Sequence, residues 1–347
     1  MKILKYLFFL LLILVIGISI YIAIQPSSYS VSRSRTIQGH SPVIYNYVED
    51  LKNWKDWMPW LEKNPDMTIT YGRTTRGIGA GFTWTDKKIH GKLETISATP
   101  YTHLEQKLTY NDHEPAEVSW KFDSQGDATR VTWETNGTLD FKSKAYVLYK
   151  GSMEDKLGPE LERGLEKLDS TIQENVKKYA ISIDGITEQG GGFYLYTTTS
   201  SKISDSRKKI SERVNAIREY VTKHNISNTG TPFTYYYSWD EENNATIFSN
   251  GVFTSSKIIT EPGSEILTGE ISPFRALKVT LEGDTENLEE AWESAFAYLA
   301  ERQIAQDSTG PYLEFYPVDA SHTLNPAKWV TEIYVPVSEL NIPPIIE

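Results

Sequence analysis

Near the end of the chain, the run WVTEIYVPV (residues 329–337) sets one carboxylate, Glu332, among the β-formers Trp329, Val330, Ile333, Tyr334, Val335 and Val337. Burying an unpaired carboxylate costs several kcal/mol or drives the group to its neutral form. Such an acid faces solvent, holds an opposite charge, or stands ready for a ligand. A second acid, Glu314, lies in the preceding run PYLEFYPVD (311–319). A carboxylate walled by aromatic rings takes a cation through charge and ring faces together. Tyr334, Trp329, Tyr316 and Tyr237 are the candidate walls. The plainer reading pairs Glu332 with Lys328 or Arg275, or turns it to water on an edge strand.

The remaining residues carry less chemistry. Cysteine is absent, which excludes disulfides, thiolate metal sites and cysteine nucleophiles. Six histidines, at 40, 90, 103, 113, 224 and 322, show no HExxH or other ligand spacing, so no metal is predicted and no cofactor is expected. His90 and His103 fall in predicted strands without a recognisable partner and read as structural. The glycine-rich GIGAG (77–81) precedes a strand rather than opening a helix, which does not suit a phosphate cradle. Arg207, Lys208, Lys209 and Arg213 share an amphipathic helix with Glu212 and Glu219 and read as a solvated face.

Charge narrows the choice of partner. The net charge is −11, and it is uneven: residues 1–178 hold 23 Lys and Arg against 22 Asp and Glu, residues 179–347 hold 12 against 24. An acidic second half repels phosphate backbones, and no helix-turn-helix pattern precedes it, so direct nucleic-acid binding is not expected.

The elements that position these residues are legible by period. Tyr6 to Ile24 runs without a charge after Lys2 and Lys5. Nineteen residues at helical rise span roughly 28 Å, about a bilayer core. The apolar run exceeds that of a cleaved signal peptide, and no A-x-A-like site follows. The reading is an uncleaved single-pass anchor, with residues 4–24 in the membrane. Lys2 and Lys5 nearly balance Arg33 and Arg35 across it, and the short N-terminal tail favours a globular part outside the cytoplasm.

Residues 29–37 then read as a strand, and HSPVIYNYVEDLKNWKDW opens a helix with Ser41 as cap and Pro42 in the first turn. Six alternating stretches follow between Met67 and Gly137, and a helix closes the unit with Leu161, Leu165, Leu168, Ile172 and Val176 on one stripe. ISIDGITEQGGG (181–192) reads as a glycine-rich joint. Beyond it the order β, α, β, β occurs twice at a period near 80, which predicts a pseudo-twofold duplicated domain with a shared cleft.

Two family resemblances follow from these passages. The run from PVIYNYVEDLKNWKDWMPW through GIGAGFTW and VTWETNG to the closing helix resembles the SRPBCC, or START-like polyketide cyclase, superfamily over residues 28–178. That resemblance implies a curved sheet gripping its last helix, with a cavity for an apolar small molecule between them. Trp54, Trp57, Trp60, Trp84, Trp120 and Trp133 are candidates to line it, although aromatics more often fill cores. PYLEFYPVDASHTLNPAKWVTEIYVPV resembles the GyrI-like effector-binding domain, also found fused to AraC- and MerR-type regulators, over residues 185–338. In that family a glutamate at the corresponding place lies in the ligand pocket, which carries over to Glu332. Some of its members hydrolyse strained electrophilic drugs with that acid.

The expected architecture is α+β: an anchor over 1–27, a helix-grip domain over 28–178, a linker over 179–192, a GyrI-like domain over 193–340 and a tail over 341–347. The expected function is binding of small hydrophobic or cationic molecules near a membrane. The alternative is a hydrolase or cyclase using Glu332 as acid or base. Family regulators carry a DNA-binding domain; this chain lacks one, so a transcriptional role requires a partner protein.

Overall fold

The computed structural model describes residues 2–64, 66–86, 89–111, 113–227 and 230–338. The tail expected over 341–347 lies outside the described residues. The chain divides into two compact units, Met1–Asn175 and Val176–Glu347.

The first unit begins with α1 (Lys2–Ala23), whose residues 3–23 are long and apolar enough to cross a membrane and are unburied throughout. Strand β1 (Ser28–Gln38) follows, then α2 (Ser41–Glu49) and the short helices α3 (Trp54–Trp57) and α4 (Pro59–Lys63). The six alternating stretches form β2 (Thr68–Tyr71), β3 (Gly81–Asp86), β4 (Ile89–Thr99), β5 (His103–Tyr110), β6 (Ala116–Gln125) and β7 (Ala128–Thr138). With β1 they make a seven-stranded antiparallel sheet in the order β1-β7-β6-β5-β4-β3-β2.

Two helices close the unit, α5 (Phe141–Lys150) and α6 (Met153–Val176). Helix α6 starts ahead of Pro159, which lies inside it although proline favours a first turn. A reciprocal cap explains the earlier start: Asp155 N donates to Ser152 Oγ at 3.1 Å and Ser152 N donates to Asp155 Oδ2 at 2.9 Å. Leu161, Leu165, Leu168 and Ile172 are buried as their spacing requires. Gly164 permits the approach, since a Cβ there would lie 2.6 Å from the Trp133 ring. Trp54, Trp57, Trp120 and Trp133 keep 2 % or less of their surface and pack ring against ring, with Trp120 and Trp133 stacked at 4.4 Å. These tryptophans are the core of the unit.

The second unit contains β8 (Ala180–Gln189), β9 (Gly192–Lys202), α7 (Ile203–Lys223), β10 (Phe233–Asp240), β11 (Ala245–Phe253), β12 (Leu267–Ile271), β13 (Phe274–Glu282), α8 (Leu288–Glu301), β14 (Tyr312–Val318) and β15 (Val330–Pro336). Its antiparallel sheet has eight strands in the order β12-β9-β11-β10-β14-β15-β13-β8. From β9 inward the strands of one β-α-β-β run lie first, third, second; from β13 inward the other run does the same, and the two meet where β10 pairs with β14.

The stretch 179–192, expected as a linker, is largely strand β8 paired along β13 from Ala180↔Glu282 to Gln189↔Phe274. Gly185, at φ 100°, sits where the register shifts and serves a bulge in an edge strand, while Gly190 and Gly191 join β8 to β9. Pro273 separates β12 from β13.

Both helices cover one face of this sheet. Leu277, Val279, Leu281, Ile333 and Val335 pack with α8, and Leu195 and Val252 pack with α7. The opposite face carries Tyr194, Phe233, Phe253, Phe315 and Tyr334 in a separate aromatic cluster. Strand alternation alone assigns neighbouring residues to these two faces.

Candidate functional site

On β14 the alternation turns Glu314 and Tyr316 toward the helices and Leu313 and Phe315 away from them. Glu314 is fully buried. Its carboxylate accepts five hydrogen bonds: from Arg207 Nη1 at 2.7 Å and Nη2 at 3.3 Å, Trp292 Nε1 at 2.7 Å, Tyr316 OH at 2.9 Å and Tyr236 OH at 3.0 Å. Arg207 comes from α7 and Trp292 from α8, so one carboxylate ties both helices to the sheet. Burial by itself would raise the Glu314 carboxyl, but the Arg207 guanidinium and the neutral donors outweigh it and hold it below its ordinary value. Behind it, Thr234 and Tyr316 share a hydroxyl contact at 2.6 Å and Asn250 Nδ2 donates to Thr234 Oγ1 at 2.8 Å.

This network corrects two expectations. Arg207 does not belong to a solvated face; its side chain keeps 38 % of its surface, yet its guanidinium is committed to Glu314. Lys209 remains in an exposed pair with Glu212 at 3.1 Å. Glu314 and Tyr316 do not share a wall with Glu332, because they project from the helix-covered face.

Glu332 lies on β15 opposite Phe315 on one side and Thr280 on the other. It points to the aromatic face and retains 24 % of its side-chain surface. Lys278 Nζ donates to Glu332 Oε1 at 2.9 Å, and Tyr334 OH donates to Oε2 at 3.1 Å. Its partner is thus neither Lys328 nor Arg275. Lys278 is a diagonal neighbour on β13, where it faces Tyr334 in register, and it also lies 3.9 Å from Asp184. Burial, then the Glu332 charge, pushes the Tyr334 phenol well above its ordinary value, so it remains a donor at neutral pH.

From Tyr334 the rings continue across the sheet. Phe315 meets Tyr334 edge to face at 5.3 Å, Phe233 meets Phe315 at 5.3 Å, and Tyr194 meets Phe233 at 5.4 Å. Tyr194 contacts Tyr196 at 5.1 Å, while Tyr235 and Tyr237 stack at 4.5 Å. Tyr237 is exposed and its hydroxyl accepts from Ser249 Oγ at 3.1 Å. Gly269 leaves room for this surface: a Cβ there would stand 2.6 Å from the Tyr194 ring. Trp329 donates its indole N–H to the Thr323 carbonyl at 2.8 Å.

Among the predicted residues, Glu332 and Tyr334 are therefore brought together directly, and Tyr237 lies at the far tyrosine cluster. Lys278, Phe315 and Tyr194 were not anticipated. Lys278 had a signal: it alternates with Leu277 and Val279, which places it on the face opposite the helices. Among the described residues, no group of three or more His, Cys, Asp or Glu is arranged to hold a metal ion. In the first unit, Tyr45 OH, Trp57 Nε1, Gln106 Nε2 and Trp133 Nε1 are buried without a hydrogen-bond partner among the described residues.

Residues 193–338 match the family model for the GyrI-like small molecule binding domain. Residues 41–166 match that for polyketide cyclase/dehydrase and lipid transport. No curated protein matches the chain. Solved structures to which it is similar include the C-terminal domain of EcmrR, at 18 % identity over 46 % of this chain and 98 % of that chain, with a TM-score of 0.37. EcmrR in a complex with DNA is 17 % identical over 56 % of this chain and 70 % of that chain, with a TM-score of 0.39. A protein from Chromobacterium violaceum is 9 % identical over 43 % of this chain and 99 % of that chain, with a TM-score of 0.34. The chain thus carries a polyketide-cyclase-type, SRPBCC-like domain followed by a GyrI-like small-molecule-binding domain, in that order.

Proposed function

We propose that this is a membrane-anchored protein that senses or sequesters small hydrophobic cations, and that the aromatic face of the second unit receives them. One observation carries the reading. In a domain of small-molecule-binding type, Glu332 is a carboxylate that keeps a quarter of its surface beside Tyr334 and a continuous run of rings, with a single lysine as its charged partner among the described residues. An ammonium or amidinium with an apolar body displaces Lys278 from Glu332, lays its body on Phe315 and Tyr334, and returns Lys278 to water and Asp184. The mirrored strand order of the two β-α-β-β runs supports a pseudo-twofold duplication, with Glu332 on only one side of it. The first unit reads as a helix-grip module in which α6 lies on the tryptophan core. Helix α1 is the single-pass anchor, with the globular part outside the cytoplasm.

Fluorescence-anisotropy titration of the full chain in detergent micelles with lipophilic cationic dyes and uncharged dyes of similar shape tests the reading. Saturable binding that prefers the cation and weakens on Glu332→Gln is expected. Equal affinity for both dyes, unchanged in Glu332→Gln, contradicts it. Turnover of an electrophilic compound lost in Glu332→Gln with affinity retained would replace binding by hydrolysis.

A further inference from the structure

Helix α5 presents a surface that the small-molecule reading does not use. Asp140 caps its start by accepting from Ser143 N at 2.7 Å, and Gly151, at φ 96°, ends it. Its one buried residue is a lysine, Lys144. The opposite stripe, spaced i, i+4, i+7 and i+8, is Lys142, Tyr146, Tyr149 and Lys150. Tyr146 is 58 % exposed and Tyr149 79 %; Phe141, on the flank, is 49 % exposed. Together these rings and lysines make a contiguous aromatic and basic surface on a helix that contains no acidic residue.

What lies beside this helix gives the stripe a meaning. Lys144 Nζ donates to the carbonyl of Ala23, the last residue of α1, at 3.1 Å. The apolar segment of α1 ends at that same residue. If α1 spans a bilayer, Ala23 marks the edge of the hydrocarbon, and the hydrogen bond holds α5 at the depth of the lipid headgroups. Tyrosine at that depth places its ring against acyl chains and its hydroxyl in water, and lysine meets lipid phosphates. Further rings gather nearby: Tyr110, 41 % exposed, is close enough for Tyr146 to help raise its phenol above the ordinary value, after the effect of its own burial. A pocket of about 250 Å³ between the exit of α1, β1 and α5 is lined by apolar residues such as Leu139, Val147 and Met153 and by Lys144 and Glu154.

We infer that α5 is an interfacial membrane-docking helix, laying Phe141, Tyr146 and Tyr149 into the headgroup layer of a bilayer and setting Lys142 and Lys150 against anionic lipid phosphates. The inference rests on α1 being a membrane span. With such a dock, the first unit is held at the bilayer surface at two points rather than trailing from a single tether.

The lack of cysteine allows single-site labelling of the full chain. Ile13→Cys, Tyr146→Cys, Tyr149→Cys and Lys55→Cys variants carrying an environment-sensitive fluorophore are reconstituted in phosphatidylcholine vesicles with and without phosphatidylglycerol. Quenching is then read with aqueous iodide and with headgroup-level nitroxide lipid. The expected result is a label at 146 and at 149 quenched by iodide at least about threefold less than the label at 55, and quenched by the nitroxide lipid. A further decrease in iodide access with phosphatidylglycerol, abolished by Lys142→Glu with Lys150→Glu, is expected as well. Labels at 146 and 149 as open to iodide as that at 55, while the label at 13 is shielded, overturn the docking helix and leave the anchor standing. A label at 13 that iodide reaches freely overturns both.

Discussion

Two glutamates on adjacent strands of one sheet have opposite fates. Glu314 is buried beneath two helices and saturated by five donors; Glu332, beside its neighbour Phe315 in register, opens onto rings and keeps a quarter of its surface. Depth in the protein does not make a ligand site. A carboxylate with every lone pair occupied has nothing left to offer, whereas one held by a lysine that water can recover exchanges that lysine for another cation. The first is a rivet for α7 and α8. The second is the candidate contact.

The sharpest way to break this contrast is to neutralise the rivet. Glu314→Gln leaves the Arg207 guanidinium without its counter-charge and is expected to destabilise the second unit by about 3–5 kcal/mol, measured by urea unfolding. The pH dependence follows from the same site. A carboxyl depressed in the folded state contributes stability that is complete above its ordinary value of 4.5 and is lost as pH falls through the depressed value. The wild type should therefore lose stability on acidification below about pH 4.5, and Glu314→Gln should flatten that limb.

A smaller effect distinguishes shape from charge on the open face. Gly269→Ala pushes against the Tyr194 ring and is expected to cost about 1–3 kcal/mol of stability. It should weaken cationic and uncharged dyes alike. Glu332→Gln should leave the unfolding free energy within about 1 kcal/mol of wild type and reduce affinity for the cation alone, by about tenfold. Smallest of all, Lys278→Met removes the competitor for Glu332 and should tighten cation binding by a few-fold, read in the same anisotropy titration.

How far these roles were legible in the sequence depends on range. Strands β2 to β7 and helices α7 and α8 were visible because period 2 and period 3.6 are local signals. The fate of Arg207 was visible too, though the charge cluster hid it: Arg207 lies on the stripe of Ile210, Val214, Ile217 and Val221, one turn earlier, not on the face of Lys209. Strand β8 was obscured because Gly185 reads as a breaker when isolated and as a bulge only once β13 lies beside it. The two glutamates could not be told apart from their own strands. Each sits among apolar residues, and the difference is made by Arg207, Trp292 and Lys278, which arrive from distant segments.

The most direct test of the account is a double difference in dissociation constants. A lipophilic cation and its uncharged isostere are titrated into the full chain and into Glu332→Gln. The wild type is expected to prefer the cation by about tenfold, and the variant to lose that preference while its affinity for the uncharged compound stays the same. Equal preference in both proteins would contradict the assignment of Glu332 as the ligand's counter-charge.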